Sequence, residues 1–347
     1  MDLTKPIDIT AVNGAVVKHK NVMVPIDRLQ AHDVLKHCTP MPGITNSIVL
    51  GKVEGGTISK KYSGVFLGSD NLGKIVPRTL TVYPIVAEMS DEPERYRRSW
   101  ITEVKSGLDP NKHPFEVWLI QHGINIASED LHNGLFIAKY DSDPKKKELE
   151  NSFDAWGAIL EDEKTAGNIS IEKGNMFATG SMNATNIGQK LLDMWRAMPK
   201  TFRKKKAILW VSEDLGDDYD DWLESETIQL PGTDESEIQY LKKTNKRVQI
   251  IRTNAFPEGS QFVLLTTKEN MVYGYDKESD LTGMKAFASG NPYLFTATMK
   301  YVFGCQFVSI HPSELCINDQ PLKPATSEVG NKDKTESEKE PENEDSI

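Results

Sequence analysis

Cysteine is scarce in this chain. Three in 347 residues, at Cys38, Cys305 and Cys316, are too few and too scattered for a disulfide framework or a zinc site. A reducing compartment is the expectation. No apolar run approaches the roughly 18 residues that a membrane helix needs. The opening "MDLTKPIDIT" lacks the charged-then-apolar pattern of a signal peptide. A soluble protein made in the cytoplasm is therefore expected, with no membrane partner. The glycan-acceptor patterns at Asn168-Ile-Ser170 and Asn183-Ala-Thr185 carry no meaning there. Positive charge is not in excess either. A net charge of −10 excludes a chain that holds nucleic acid by its overall charge. Nothing repeats at a fixed period.

Catalytic signatures are missing as well. The seven histidines are dispersed, and His122 and His132, ten residues apart, match no paired-ligand spacing. There is no G-x-S-x-G, and no cysteine has a nearby histidine in a local signature. Cys305 sits in an apolar stretch and reads as core. The expectation is no catalytic residue, no metal and no cofactor: not an enzyme.

What is present is an ordered succession of segments. Residues 1–44 read as an N-terminal arm with one short helical candidate, "PIDRLQAHDVLKH", and a stop at "CTPMPG". Such an opening packs poorly on itself and is expected to lie on something else. Residues 45–90 are two extended stretches rich in Val, Ile, Thr and Tyr and broken by glycines. They read as one long hairpin, too poor in large apolar residues to be a core sheet, with Pro84 at an edge or bulge. "DEPERYRRSW" opens as a helix with acids and a proline. Val117, Ile120, Ile124, Ala127 and Leu131 recur at helical spacing, which predicts a long amphipathic helix over about 114–133, with Gly134 as its stop.

Residues 141–181 read as polar and irregular. Asn183 or Thr185 then caps a helix in which Ile187, Leu191, Met194 and Met198 share a face, ended by Pro199. "AILWVS" is a short buried strand, and "EDLGDDYDDWLES" starts a helix with acids in its first turn, where the helix dipole favours them. "RVQIIRTNAF" reads as a strand, "QFVLLTT" and "MVYGYD" as a hairpin-like pair, and "YLFTATMKYVFGCQFVSI" as a long final strand. The last segment, 321–347, is predicted to be a disordered acidic tail: Asn331–Ile347 carries seven acids, three lysines and no aromatic residue. The pattern is α+β, without the alternation of a parallel βαβ fold.

Three motifs could carry chemistry. "GSDNLGKI", Gly68–Ile75, fits a phosphate-cradling loop up to its last position. There Ile75 replaces the required Ser or Thr, and a β-rich run with Pro77 follows in place of a helix. Gly64, Gly68 and Gly73 read better as turn residues. Asp217, Asp218, Asp220 and Asp221 point in different directions on a helix and cannot all reach one cation, so solvated, dipole-stabilised first-turn acids are the plainer reading. The basic runs Arg203, Lys204, Lys205, Lys206 and Lys145–Lys147 have no interleaved aromatics of the kind that single-strand binding needs. They read as solvated turns.

Taken in order, these segments resemble the major capsid protein of tailed phages, with the Hong Kong 97-like fold. "IVPRTLTVYPIVAEMSDEPERY" followed by "FEVWLIQHGINIASEDLHNG" resembles that family's extended loop running into its spine helix. "SFDAWGAILEDEKTAGN" resembles the segment after it. "NIGQKLLDMWRAMPKTFRKKKAILWVSEDLGDDYDDWL" resembles the helix–strand–helix unit of the axial domain, and "RVQIIRTNAFPEGSQFVLLTTKENMVYGYD" the strand, turn and hairpin that follow. "YLFTATMKYVFGCQFVSIHPSELCI" resembles the closing strand. The likeness spans about residues 45–318.

The resemblance implies an arm (1–44), an extended hairpin loop (45–90), a peripheral domain (91–180), an axial domain (181–290) and a closing strand returning to the peripheral domain (291–320). It implies a homo-oligomer of pentamers and hexamers forming an icosahedral head. That head would be assembled in the host cytoplasm around double-stranded DNA held by non-specific contacts. Portal and decoration proteins are implied as further partners. An arm of 44 residues is too short for a built-in scaffolding segment, so a separate scaffold, or none, is expected. Some members cross-link a hairpin lysine to an asparagine. Lys60 and Lys61 sit in the matching hairpin, but "TATMKYVFG" in the closing strand offers no acid to act as base, so no cross-link is expected. Candidate assembly contacts are Lys60, Lys61, Arg78, Arg97, Arg98 and Arg203–Lys206; Arg78, Arg97 and Arg98 are expected at the hairpin base in inter-subunit ion pairs. The competing readings are an encapsulin-like compartment of the same fold, a phosphate-handling enzyme built on Gly68–Lys74, and a monomeric binding module.

Overall fold

The computed structural model describes residues 34–54, 59, 61–62, 73–107, 115–226, 239–276, 285–288 and 294–323. Two five-stranded sheets organise it. The first is built on β11 (Phe295–Phe307), thirteen residues long, whose inward positions Phe295, Ala297, Met299, Tyr301 and Phe303 are buried. Along one edge β11 pairs antiparallel with β4 (Tyr83–Asp91). Along the other it meets β10 (Lys285–Ala288) and then β9 (Met271–Tyr275), and β1 (Thr39–Pro42) adds parallel to β9. Prolines at the second and fourth positions of β1, Pro40 and Pro42, suit an edge strand, which has no outer neighbour to bond.

The second sheet runs β5 (Met176–Phe177), β12 (Leu315–Asn318), β8 (Leu264–Thr266), β6 (Ala207–Ser212), β7 (Val248–Thr253). Every residue of β6 is buried. Alternation explains why "AILWVS" is apolar throughout: Ile208 and Trp210 join the core shared with the first sheet, while Ala207, Leu209 and Val211 face a second core. That second core is closed by α4 (Ile187–Ala197), α5 (Lys200–Arg203) and α6 (Glu213–Glu226). Gly188 lets α4 approach α6, since a β-carbon there would enter the Trp222 ring. Ile187, Leu191, Met194 and Met198 do share the buried face. The cap differs: Asn186 precedes the helix, and Asn183 instead accepts bonds from Thr185 in a local turn.

On the first sheet lie α1 (Pro93–Lys105) and α2 (Phe115–Gly134), the latter matching the expected long helix; Val117, Ile120, Ile124 and Leu131 form its buried stripe. Four readings need correction. Residues 153–165, read as irregular, hold α3 (Trp156–Thr165), with Phe153, Trp156 and Leu160 in the main core. From Val34 onward the leading segment is inside the fold: Val34, Leu35 and Cys38 are core, and "TPMP" is strand β1 and not a stop.

The single hairpin expected over 45–90 is two structures. β2 (Ser47–Glu54) and β3 (Lys74–Thr81) form a separate two-stranded ribbon, and the chain then passes through Val82 into β4, a strand of the main sheet. "QFVLLTT" and "MVYGYD" do not pair with each other: β8 lies in the second sheet and β9 in the first. The buried Asn270 makes that crossover possible. Its amide donates to Thr266 Oγ1 (3.1 Å) and the Ser309 carbonyl (2.9 Å), and its oxygen accepts the Ser309 N–H (2.8 Å), so the turn between sheets is internally satisfied.

Candidate assembly surfaces

The β2–β3 ribbon has two unlike faces. Leu50 and Leu80 point to the body and are buried with Ile44, Val82 and Val272. The alternate positions Val49, Val53 and Ile75 are 67 %, 57 % and 60 % exposed. Period-two patterning dictates this split, but both faces carry apolar residues, so the sequence alone does not say which is inward. Three large aliphatic side chains on the open face of a free-standing ribbon form a surface that a monomer leaves wet.

The basic candidates fall into separate places. Arg78, on the body-facing side of β3, donates to Glu163 Oε1 of α3 (2.8 Å) and to Gln306 Oε1 of β11 (3.1 Å), and Gln306 in turn donates to the Thr79 carbonyl (2.9 Å). Its side chain is only 9 % exposed. Arg97 pairs with Glu94 (2.8 Å) and lies 4.9 Å over the Phe115 ring, tying α1 to α2. Arg98 on the same helix is exposed. The nine residues of β4 separate these arginines from Arg78 by about 30 Å of extended chain, so the structure does not gather the three at one hairpin base. Lys61 is exposed, and Lys60 lies outside the described residues.

The basic run is not uniformly solvated. Arg203 stacks 5.9 Å over Trp195, and Lys205 donates to the Ser313 carbonyl (3.0 Å) and to the Glu314 carboxylate. Lys204 and Lys206 between and beyond them are exposed. Glu314, buried, also takes Lys52 Nζ of the ribbon at 2.9 Å. Sequence reasoning missed this triad, because its members are more than a hundred residues apart and only the fold brings them together.

The acidic cluster is also corrected. Glu213 and Asp214 occupy the first turn of α6, while Asp217 (3.1 Å) and Asp220 bind the Arg252 guanidinium, with Gln239 Oε1 accepting from it at 3.0 Å. Asp218 is left facing its own kind. Burial, then repulsion from Asp221 and Asp214, hold its carboxyl above the ordinary range, against a backbone bond from Ala184 that lowers it. Among the described residues no group of three or more His, Cys, Asp or Glu is placed to hold a metal. Lys74 opens strand β3 and not a helix, so the dipole that a phosphate-binding loop requires does not follow it; Gly68 to Leu72 lie outside the described residues. No described helix is long and apolar enough to cross a membrane.

No protein-family model and no curated relative matches the sequence. Solved structures do match the fold. The cyanophage A-1(L) capsid asymmetric unit aligns with a TM-score of 0.52 at 14 % identity, over 87 % of this chain and 94 % of that one. The satellite phage P4 procapsid, solved with its size determination protein, aligns with a TM-score of 0.51 at 11 % identity, over 84 % of this chain and 96 % of that one.

This chain has the fold of a phage capsid protein. At such identities the likeness speaks for the path of the backbone and for no individual side chain. The α+β capsid fold expected from the order of segments is the fold found. On that capsid fold, features that no core explains include the open face of the ribbon and the exposed cations Lys61, Arg98, Lys204 and Lys206.

Proposed function

We propose that this chain is the major capsid protein of a tailed phage or prophage, assembling as pentamers and hexamers into an icosahedral head around double-stranded DNA. The observation that carries the reading is the capsid fold itself, aligned over 87 % of the chain. The exposed Val49, Val53 and Ile75 support it, because a ribbon with one wet apolar face gains stability from an adjoining copy. In this reading the ribbon and the segment before it make the contacts between copies, the unit around α2 is peripheral and the unit around β6 axial. Many modest contacts per subunit add up, since each copy is held on several sides at once.

The assembly contacts we assign are the open ribbon face together with Lys61, Arg98, Lys204 and Lys206, whose ammonium and guanidinium groups are accessible to acids of a neighbouring copy. Arg78, Arg97, Arg203 and Lys205 act one step behind, by fixing the angles of the pieces that carry those contacts. Rim charges of this kind set register more than affinity. A scaffold, a portal and decoration proteins are the further partners of such a head, and its place is the virion.

Negative-stain microscopy of the purified, overexpressed chain tests the proposal. Closed shells or rings of five and six are expected. A chain that stays monomeric at high concentration, by size-exclusion chromatography, overturns it.

A further inference from the structure

The ribbon is tied to the body at two levels, and the levels differ in kind. At the lower one, Leu50 and its partner Arg78 are held by the small core of Leu80, Val82 and Val272 and by the Arg78–Glu163 pair. At the upper one, the ion pair of Lys52, opposite Val76, to Glu314 is the one ion pair to the body among the described residues. Between them sits the pair Gly51–Pro77. Pro77 has no N–H for the ladder, and Gly51 has no side chain to pack across it. The ribbon is therefore thinnest where a fixed base meets a singly anchored outer half.

We propose that Lys52–Glu314 is a latch: it clamps the outer half of the ribbon to the second sheet, and its release lets that half swing about Gly51 and Pro77 while the base stays in place. Glu314 is well suited to this. It ends the tight turn His311–Glu314, whose bond from the Glu314 N–H to the His311 carbonyl is 2.8 Å, and its own carbonyl accepts Thr266 Oγ1 at 3.0 Å, so the carboxylate is rigidly presented. Its second oxygen is held by Lys205. When Lys52 leaves, the buried carboxylate keeps a cation, and the large cost of an orphaned buried charge does not arise. Lys52, 35 % exposed, regains water on release. Arg78 is held more firmly, because it serves Glu163 and Gln306 at once, and its departure leaves Glu163 without a cation, with Asn168 alone donating to its other oxygen. The latch is thus the weaker of the two ties and opens first. It requires only the single chain and stands or falls apart from the shell reading.

Hydrogen exchange on the unassembled full chain tests it, with Lys52→Ala as the deciding variant and Glu314→Gln as the second. In both, amides of the 52–54 and 74–76 segments are expected to exchange about threefold to fivefold faster, the size of one lost, partly solvated ion pair. Amides of 47–50 and 78–81 are expected to keep their wild-type rates. Unchanged outer rates in Lys52→Ala overturn the latch. Equal acceleration of both halves overturns the hinge, because Lys52 would then support the ribbon as one piece. If Glu314→Gln loosens the second sheet as well, Lys52→Ala decides alone, since it leaves Glu314 paired with Lys205.

Discussion

Gly304 of β11 lies directly against the backbone of Thr81, so that a β-carbon at 304 would press on the Thr81 carbonyl oxygen. This is the place where β3 of the ribbon gives way to β4 of the main sheet, and the chain can turn there only because β11 offers no side chain. Backbone cannot step aside as a flexible side chain can. Gly304→Ala is expected to cost about 3 kcal/mol, at the upper end for inserting a methyl into a packed site. The measurement is the shift in urea midpoint. A variant that unfolds at the wild-type midpoint would show that this junction yields.

Arg78 joins three elements through Glu163 and Gln306. Arg78→Ala leaves a largely buried carboxylate without its cation, for an expected loss of about 3 kcal/mol in unfolding free energy. Arg78→Lys restores a charge but not the fork that serves two acceptors at once, and is expected to recover part of that loss. If the assembly proposal holds, Arg78→Ala also lowers the yield of shells, whereas Arg98→Ala lowers the yield with the monomer midpoint unchanged. The two variants separate a residue that sets an angle from one that makes a contact.

Asp218 supplies a test with a sign. Burial and the neighbouring Asp221 and Asp214 raise its folded pKa above the unfolded value. A group shifted that way contributes its full share only when protonated, below the ordinary carboxyl value of about 4, and that share is lost as pH rises through the folded value. Asp218→Asn is therefore expected to stabilise the protein at pH 7, by about 0.5 kcal/mol given the solvent that still reaches the site. The gain is expected to vanish near pH 3. Denaturant unfolding at the two pH values reads the difference. Destabilisation by Asp218→Asn at pH 7 would mean that the bond from Ala184 outweighs the repulsion.

Legibility in the sequence followed the range of the interaction. α2 was readable because five apolar residues at helical spacing are a local signal. β6 was readable because a run buried on both faces is apolar throughout. β4 was not: its residues alternate between exposed and half-buried, with Ile85 alone fully buried, because the α2 face covers it only partly, and such a strand reads as projecting hairpin. The separation of β8 from β9 rests on Asn270, a single polar residue whose partners are Thr266 on β8 and Ser309 just past the end of β11. The acidic cluster read as solvated because its partner, Arg252, arrives from strand β7, outside the helix that carries the acids. Of the candidate contacts, charge was visible but engagement was not: nothing local distinguishes Lys205, bound to Glu314, from Lys204, which is exposed.

The three cysteines offer the last test. Cys38, Cys305 and Cys316 are all buried and unpaired. Burial raises each thiol: Cys316 is pushed up to about 12, and Cys38 and Cys305 are raised as well. The thiolate is the reactive form, and at pH 8 almost none exists at such sites. Access is closed as well, since Cys38 is buried and donates to the Val34 carbonyl. A disulfide-exchange reagent added to the native protein at pH 8 is expected to find essentially no fast-reacting thiol, and to find all three after unfolding in denaturant. Labelling of Cys38 alone in the native state would mean that the segment from Val34 to Pro42 lifts off the main sheet. The parallel pairing of β1 with β9 would then be a docking contact that opens on its own, not part of the core.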